Sequence, residues 1–184
     1  MAVVGGEPRT DGTTRGRAGS EAQLDRVMED MKIGGTEGQL VGGGGRLTEG
    51  DLANGLFPNP PIFDHVSRDA RIAQEAIFGP VLIVIRVKDF AEAMDVANGV
   101  EFGLSSSIYT NDYQKVMAYA EDIQTGICHV NSPTMGGEAH MPFGGMKSTG
   151  IGGREMNEEV MEFFTETKTV YFDYTGVKRE GNLY

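Results

Sequence analysis

Between Val81 and Val87 the chain reads VLIVIRV, and its first five residues are all Val, Leu or Ile. The run shows no polar alternation. It predicts a strand covered on both faces, the usual case in a parallel sheet. Phe78-Gly79-Pro80 stands just before it. Glycine there can take unusual backbone angles and proline fixes φ, so the three residues predict a rigid turn. Such a turn can hold an aromatic ring against a ligand. It can equally be a loop that packs its own phenylalanine, the commoner use of this side chain and the one this stretch alone favours.

Helical periodicity lies on either side of this run. Ser20 with Gln23 forms a capping box, and Leu24, Val27, Met28 and Met31 follow on one face, with Gly34-Gly35 as the predicted stop. Leu40-Val41 suggests a short strand that ends in Gly42–Gly45. Four glycines invite a phosphate-cradle reading, but no G-x-G-x-x-G opens a helix here and no acidic residue stands at the ribose-binding distance. Prolines at 58, 60 and 61 break any ladder ahead of Ile62-Phe63, which is predicted to begin a brief edge strand.

After the central run, Asp89 and Glu92 form a second capping pair, and Phe90, Ala93, Met94 and Ala97 give a buried helix face ending near Asn98. Leu104–Tyr109 reads as a strand. Thr110–Asp112 starts a helix lined by Val116, Met117, Ala120 and Ile123, and Ile127–Val130 is a further strand. The order β-α-β-α-β with short connections predicts an α/β fold, a parallel sheet with helices on both faces. Residues 131–153 form a long loop with Met141-Pro142-Phe143-Gly144-Gly145, leaving the carboxyl end of a strand, where such sheets place their sites. A helix over about 155–164 follows, then KTVYFDY at Lys168–Tyr174, dense in β-formers. A strand beyond the last helix leaves an open edge, so subunit contact is expected. The organisation is a flexible arm at 1–19, a catalytic-type domain at 20–166, and an edge strand with a tail at 167–184.

Composition narrows the function classes. The chain has 184 residues, enough for one domain with a core, and a formal net charge of −11 from 27 acidic and 16 basic residues. That argues against a general nucleic-acid binder. No run reaches membrane-spanning length and the first residues lack a signal-peptide pattern, so neither a membrane nor an export role is expected. A single cysteine forms no internal disulfide, which favours a soluble cytoplasmic protein. Cys128 lies within Ile127–Val130 and reads as a small core residue rather than a nucleophile. His129 is its neighbour, but adjacent strand residues face opposite ways. His65 and His140 show no metal-ligand spacing. Glu75 and Glu138 read as surface carboxylates. In GGMKSTG, Met146 stands where a phosphate-binding loop needs glycine before Lys147.

Several motifs taken together carry more than any one of them. Glu75–Val81 (EAIFGPV), EFGLSSSIYT at 101–110, Thr125–Asn131 (TGICHVN), Met141–Lys147 (MPFGGMK) and Glu166–Val170 (ETKTV) are ordered and colinear. From about Ser20 to Tyr174 the chain resembles the carboxy-terminal part of the NAD(P)-dependent aldehyde dehydrogenases. That family oxidises aldehydes to carboxylic acids. A cysteine thiolate attacks the aldehyde, hydride leaves for the nicotinamide, and a glutamate-activated water hydrolyses the thioester. The resemblance implies that Phe78 lies against the nicotinamide end of the cofactor, NAD or NADP. It implies that Phe143 sits beside the substrate channel, and that Ser132 and Thr134 fall where the aldehyde pocket varies. Lys168–Tyr174 looks like the strand that joins subunits, and EAHMPF at 138–143 leans towards semialdehyde- and sugar-acid-type members.

The sequence departs from the family in two respects. The family's ribose-binding glutamate has Ala76 in its place, with Glu75 one position earlier. The family's dinucleotide domain, general base and nucleophile all precede the matched region, and Cys128 does not align with that nucleophile. No catalytic residue is therefore assigned, and cofactor binding by this chain is expected to be weak or absent. The chain alone is expected to be inactive, with apolar faces open to water. Its partners are expected to be an aldehyde together with further copies of itself or a complementary amino-terminal chain. An assembly module that completes a split enzyme, and a gene remnant without function, are the other readings.

Overall fold

A computed structural model of the chain describes residues 5, 6, 9, 11–172 and 174–176. The first helix, α1 (Glu21–Glu37), starts as the capping box requires. The Ser20 hydroxyl accepts from the Gln23 N–H at 3.2 Å and the Gln23 side chain accepts from the Gly19 N–H at 2.8 Å. The helix does not stop at Gly34-Gly35 but runs on to Glu37 and ends at Gly38. Gly34 serves packing instead: a Cβ there would lie 2.6 Å from the Phe63 ring. Glycine lets strand and helix approach, and it was misread as a terminator. Beyond the turn, the Glu37 carboxylate accepts from the N–H groups of Arg71 and Ile72 at 3.1 and 3.0 Å, capping the short helix α2 (Arg71–Gln74).

Three strands pack on α1. They are β1 (Gln39–Gly42), β2 (Ile62–Asp64) and β3 (Leu82–Ile83), in the order β1-β2-β3, with β1 antiparallel and β3 parallel to β2. The predicted edge strand at Ile62-Phe63 is therefore the central one. Pro60 and Pro61 precede its ladder, so no interstrand donor is lost, and the Pro61 carbonyl accepts from Leu82. Gly43, Gly44 and Gly45 all have positive φ and form a turn beyond β1. The core is Phe63, Val66 and Ile72, with Val81, Ile83 and Ile85 against it.

The Val81–Val87 run behaves differently from the prediction. Only Leu82–Ile83 forms a strand, and its burial alternates. Val81, Ile83 and Ile85 turn to the core, while Leu82, Val84 and Val87 are exposed, Leu82 by 56%. One face of this apolar run is covered and the other is open.

The second part of the chain begins with α3 (Phe90–Asn98). Asp89 accepts from the Glu92 N–H at 2.9 Å and Glu92 from the Lys88 N–H at 2.8 Å. Two small ladders follow. Strand β4 (Phe102–Gly103) pairs antiparallel with β7 (Met146–Lys147), and β5 (Ser105–Ile108) pairs parallel with β6 (Ile127–Val130) across helix α4 (Tyr113–Asp122). The α/β class and the β5-α4-β6 crossover agree with the pattern. A single continuous sheet does not form: among the described residues no strand bridges β5 to β3. On α4 the buried position is Tyr119, and Ile123 is buried just past its end as expected, whereas Met117 and Ala120 are exposed. The Tyr119 ring turns inward because its hydroxyl finds a partner there, at 2.6 Å from the Ser106 hydroxyl.

The last helix, α5 (Asn157–Phe164), buries no residue, and Phe163 and Phe164 are 78% and 77% exposed. Of the predicted strand Lys168–Tyr174, residues 168–172 and 174 join no ladder among the described residues, and residue 173 lies outside them. In the arm, Gly5 bridges to Arg15 and the Ala18 N–H donates to Leu56 at 2.7 Å; residues 1–4, 7, 8 and 10 lie outside the description. No helix among the described residues is long and apolar enough to cross a membrane.

Candidate functional site

The loop that leaves β6 is fastened by two of the three consecutive serines of β5, Ser105 and Ser107. Successive strand side chains point to opposite faces, so Ser105 and Ser107 share one side and Ser106 takes the other. The Ser107 hydroxyl donates to the Ser132 carbonyl at 2.6 Å, and that of Ser105 to the Thr134 carbonyl at 3.3 Å. On the other face Ser106 is 2.6 Å from both the Tyr119 and the Thr125 hydroxyls. Burial raises the Tyr119 phenol above its ordinary value, so it stays a neutral hydrogen-bonding group. Asn131, at φ +52°, closes the end of the pair: its side chain accepts from the Thr110 N–H at 2.9 Å and donates to the Thr110 carbonyl at 3.0 Å. Ser132 and Thr134 are thus held through their backbones, which leaves their side chains available at the loop. The Ser132 hydroxyl lies 3.5 Å from His129 Nδ1.

Beside this loop is a cleft of about 380 Å³ lined by Ile127, Cys128, His129, Met141, Phe143 and Arg154, among others. Phe143 reaches it because its backbone exchanges two 2.7 Å hydrogen bonds with Glu155. Arg154 holds the neighbouring Gly145 carbonyl at 2.7 Å. Cys128 is exposed, not a core residue. On β6, Ile127 and His129 are half-buried while Cys128 and Val130 lie open, so an apolar-looking strand is covered on one side only. The Cys128 sulfur donates to the Thr125 carbonyl at 3.7 Å and lies 3.5 Å from the Thr125 hydroxyl. Both contacts are to Thr125, and exposure alone does not make the sulfur a nucleophile. No cluster of three or more metal-ligating side chains occurs among the described residues.

Phe78 does not pack its own loop. Its ring is 77% exposed and its backbone is left-handed at φ +54°. The turn is wedged onto α1: Gln23 Nε2 donates to the Phe78 carbonyl at 3.2 Å, and a Cβ on Gly79 would lie 2.4 Å from Val27. A fixed turn with an outward ring offers a flat apolar platform of the kind a nicotinamide ring could stack on. The polar side of such a site is poorer. Ala76 has no side-chain acceptor, and Glu75 is ion-paired to Arg71 at 2.9 Å. Neither Phe78 nor Ser132 and Thr134 are among the residues lining the Phe143 cleft, so the structure joins Phe143 to β6 but leaves these three outside that cleft.

Ser105, Ser107 and Arg154 belong to this arrangement without any motif of their own in the sequence. Three serines in a row inside a strand are a legible signal, since a polar side chain on each face of a half-buried strand calls for partners.

The sequence pattern of the aldehyde dehydrogenase family matches residues 2–170, beginning within the arm that the motifs had left out. The chain is 40% identical over 157 residues to the alpha-ketoglutaric semialdehyde dehydrogenase of Bacillus subtilis strain 168, covering 85% of this chain and 32% of that protein. It is similar to the NAD-bound 1-pyrroline-5-carboxylate dehydrogenase from Thermus, at 44% identity and a TM-score of 0.68, over 72% of this chain and 25% of that one. It is also similar to the betaine aldehyde dehydrogenase of Staphylococcus aureus in complex with NAD+, at 29% identity and a TM-score of 0.83, over 88% of this chain and 32% of that one. The chain thus spans about a third of the length of the curated relative it matches. With the family pattern extending over most of its length, the chain belongs to the aldehyde dehydrogenase family.

Proposed function

We propose that this chain forms the carboxy-terminal walls of an NAD(P)-dependent aldehyde dehydrogenase site and does not oxidise aldehydes by itself. The observation that carries the reading is the cleft beside β6, where Phe143 lies on a loop braced by Glu155 and Arg154. In this reading Phe143 forms a wall of the substrate channel, and Ser132 and Thr134 line the variable pocket. Phe78 supports the nicotinamide end of the cofactor. The dinucleotide, when bound, accepts the hydride from the substrate. Ala76 gives its ribose no anchor and Glu75 is held by Arg71, so this chain alone binds it weakly. The nucleophile, the general base and the dinucleotide fold come from sequence outside these residues, and Cys128 takes no catalytic part.

A semialdehyde is the favoured substrate class, on the strength of EAHMPF at 138–143 and the Bacillus subtilis relative. The protein works in the cytoplasm, a reading its single cysteine favours. The exposed aromatics of α5 and of Tyr171, Phe172 and Tyr174 favour assembly, with further copies of this chain or with a complementary amino-terminal chain. The test is NADH production by the purified chain over a panel of aldehydes. No turnover is expected. Sustained turnover abolished by Cys128→Ala would overturn the proposal.

A further inference from the structure

The loop that carries Phe143 is tied down at its far end by one cation. Lys147 has a left-handed backbone, φ +54°, a conformation that non-glycine residues keep only where their surroundings hold them. Its half-buried side chain donates from Nζ to the carbonyls of Asn98 and Val100, both at 2.9 Å. Asn98 is the last residue of α3 and Val100 lies two residues beyond it, at the end where the helix leaves acceptors unsatisfied and its dipole favours a cation. No carboxylate pairs with Lys147 among the described residues. The helix end takes the place of a counter-ion.

The tie continues beyond Lys147. The Asn98 side chain donates to the Asp122 carbonyl at 2.9 Å and accepts from the Gln124 N–H at 2.8 Å. Asp122 ends α4, and Gln124 leads into Thr125 and β6, which lines the cleft. One chain of hydrogen bonds therefore runs from the Phe143 loop through Lys147 and Asn98 to the strand on the other side of the cleft. Two neighbours reinforce it: the Thr149 hydroxyl accepts from the Gly103 N–H at 2.8 Å, and the Ser148 hydroxyl donates to Glu101 at 2.8 Å.

We propose that Lys147 is a positioning residue, whose ammonium on the carboxyl end of α3 sets the distance between the Phe143 loop and β6 and so the width of the cleft. Its importance for substrate rests on the proposed reading of Phe143, whereas its effect on the loop does not. The two can fail separately.

The test is limited chymotrypsin digestion of the full chain, followed by mass. Cleavage after half-buried Phe143 is compared with cleavage after exposed Phe164 and after buried Phe63. Lys147→Met is expected to raise Phe143 cleavage about tenfold relative to Phe164, with Phe63 still protected, because cleavage tracks the population of the opened loop. Lys147→Arg, which keeps a cationic donor, is expected to bring it back to within about twofold of the parent. If Lys147→Met also exposes Phe63, the chain has unfolded, and Lys147→Gln is read instead with the same expectation. An unchanged Phe143-to-Phe164 ratio in a folded variant, or no rescue by Lys147→Arg, overturns the proposal. A loop that opens as expected, with Phe143→Ala leaving aldehyde KM unchanged in the completed enzyme, upholds Lys147 and overturns the channel reading instead.

Discussion

In the region built from α1 and β1–β3, Leu24, Val27, Met31, Phe63, Val66 and Ile72 are all buried. In the region built from β4–β7, α4 and α5, the buried apolar residues are Tyr119 and Ile123, while Phe163, Phe164 and Met161 stand in the open. Both regions have the capped helices and apolar periodicity of a foldable sequence. They differ in what lies opposite the apolar face. Helix α1 has a sheet against it and a glycine that lets Phe63 approach. Helix α5 buries no residue and has no such partner among the described residues. The first region closes its own core. The second offers surfaces suited to contact with structure outside it, in keeping with a chain that spans about a third of the relative it matches.

The largest effects should come from the closed core. Phe63→Ala should cost about 3–5 kcal/mol, the usual range for truncating a buried phenylalanine, in urea denaturation followed by circular dichroism. Phe163→Ala should change stability by no more than about 0.5 kcal/mol, because the ring is already in water. Equal costs at the two positions would dissolve the distinction between the regions.

A pair of neighbouring glycines sharpens it. Gly34→Ala places a methyl 2.6 Å from the Phe63 ring and should destabilise by about 1–3 kcal/mol. Gly35→Ala meets nothing within 4 Å and should stabilise by about 0.4–1 kcal/mol through the unfolded chain. Thermal melts of the two variants should therefore shift in opposite directions.

In the second region the best-defined polar contact is Tyr119 with Ser106, 2.6 Å apart. Tyr119→Phe should cost about 1 kcal/mol, since Ser106 keeps Thr125 as a partner. A cost of several kcal/mol would mean that this region has a tighter core than its burial shows.

The smallest effect is a pH dependence. The Arg86 side chain, then the His65 N–H, hold the Asp64 carboxyl down from 3.8 to about 2. A depressed folded value means the contribution is complete above the unfolded value, near 4, and is lost as pH falls towards 2. The pair is partly exposed, so the effect is small. Acid melts of Arg86→Met should lose this window, and an unchanged acid limb would rule the pair out as its source.

Much of this was legible in the sequence, and most of the differences share a cause. Capping residues act within one helical turn, so the caps at Ser20 and Asp89 agree with the sequence, and Tyr113–Asp122 begins directly after the predicted start at Thr110–Asp112. Phe143 was placed in a loop beside a site, and it lines the cleft. What could not be read was which faces would find cover. Val81–Val87 is apolar on both faces yet buried on one, and Cys128 lies in an apolar strand yet is exposed. Composition records what a strand could pack against, not whether that partner lies within the chain. Gly34 failed for a different reason: a glycine that ends a helix and one that admits a neighbouring ring look alike until Phe63, distant in sequence, is placed against it.

The most direct test of the two-region account is native-state amide hydrogen exchange of the chain, resolved residue by residue. The account predicts that amides of α1 and β2, such as Val27 and Phe63, share the slowest exchange, while those of β5, β6 and α5 exchange orders of magnitude faster through local opening. Protection that is uniform from α1 through α5 would contradict it, and would mean that the second region is completed within this chain after all.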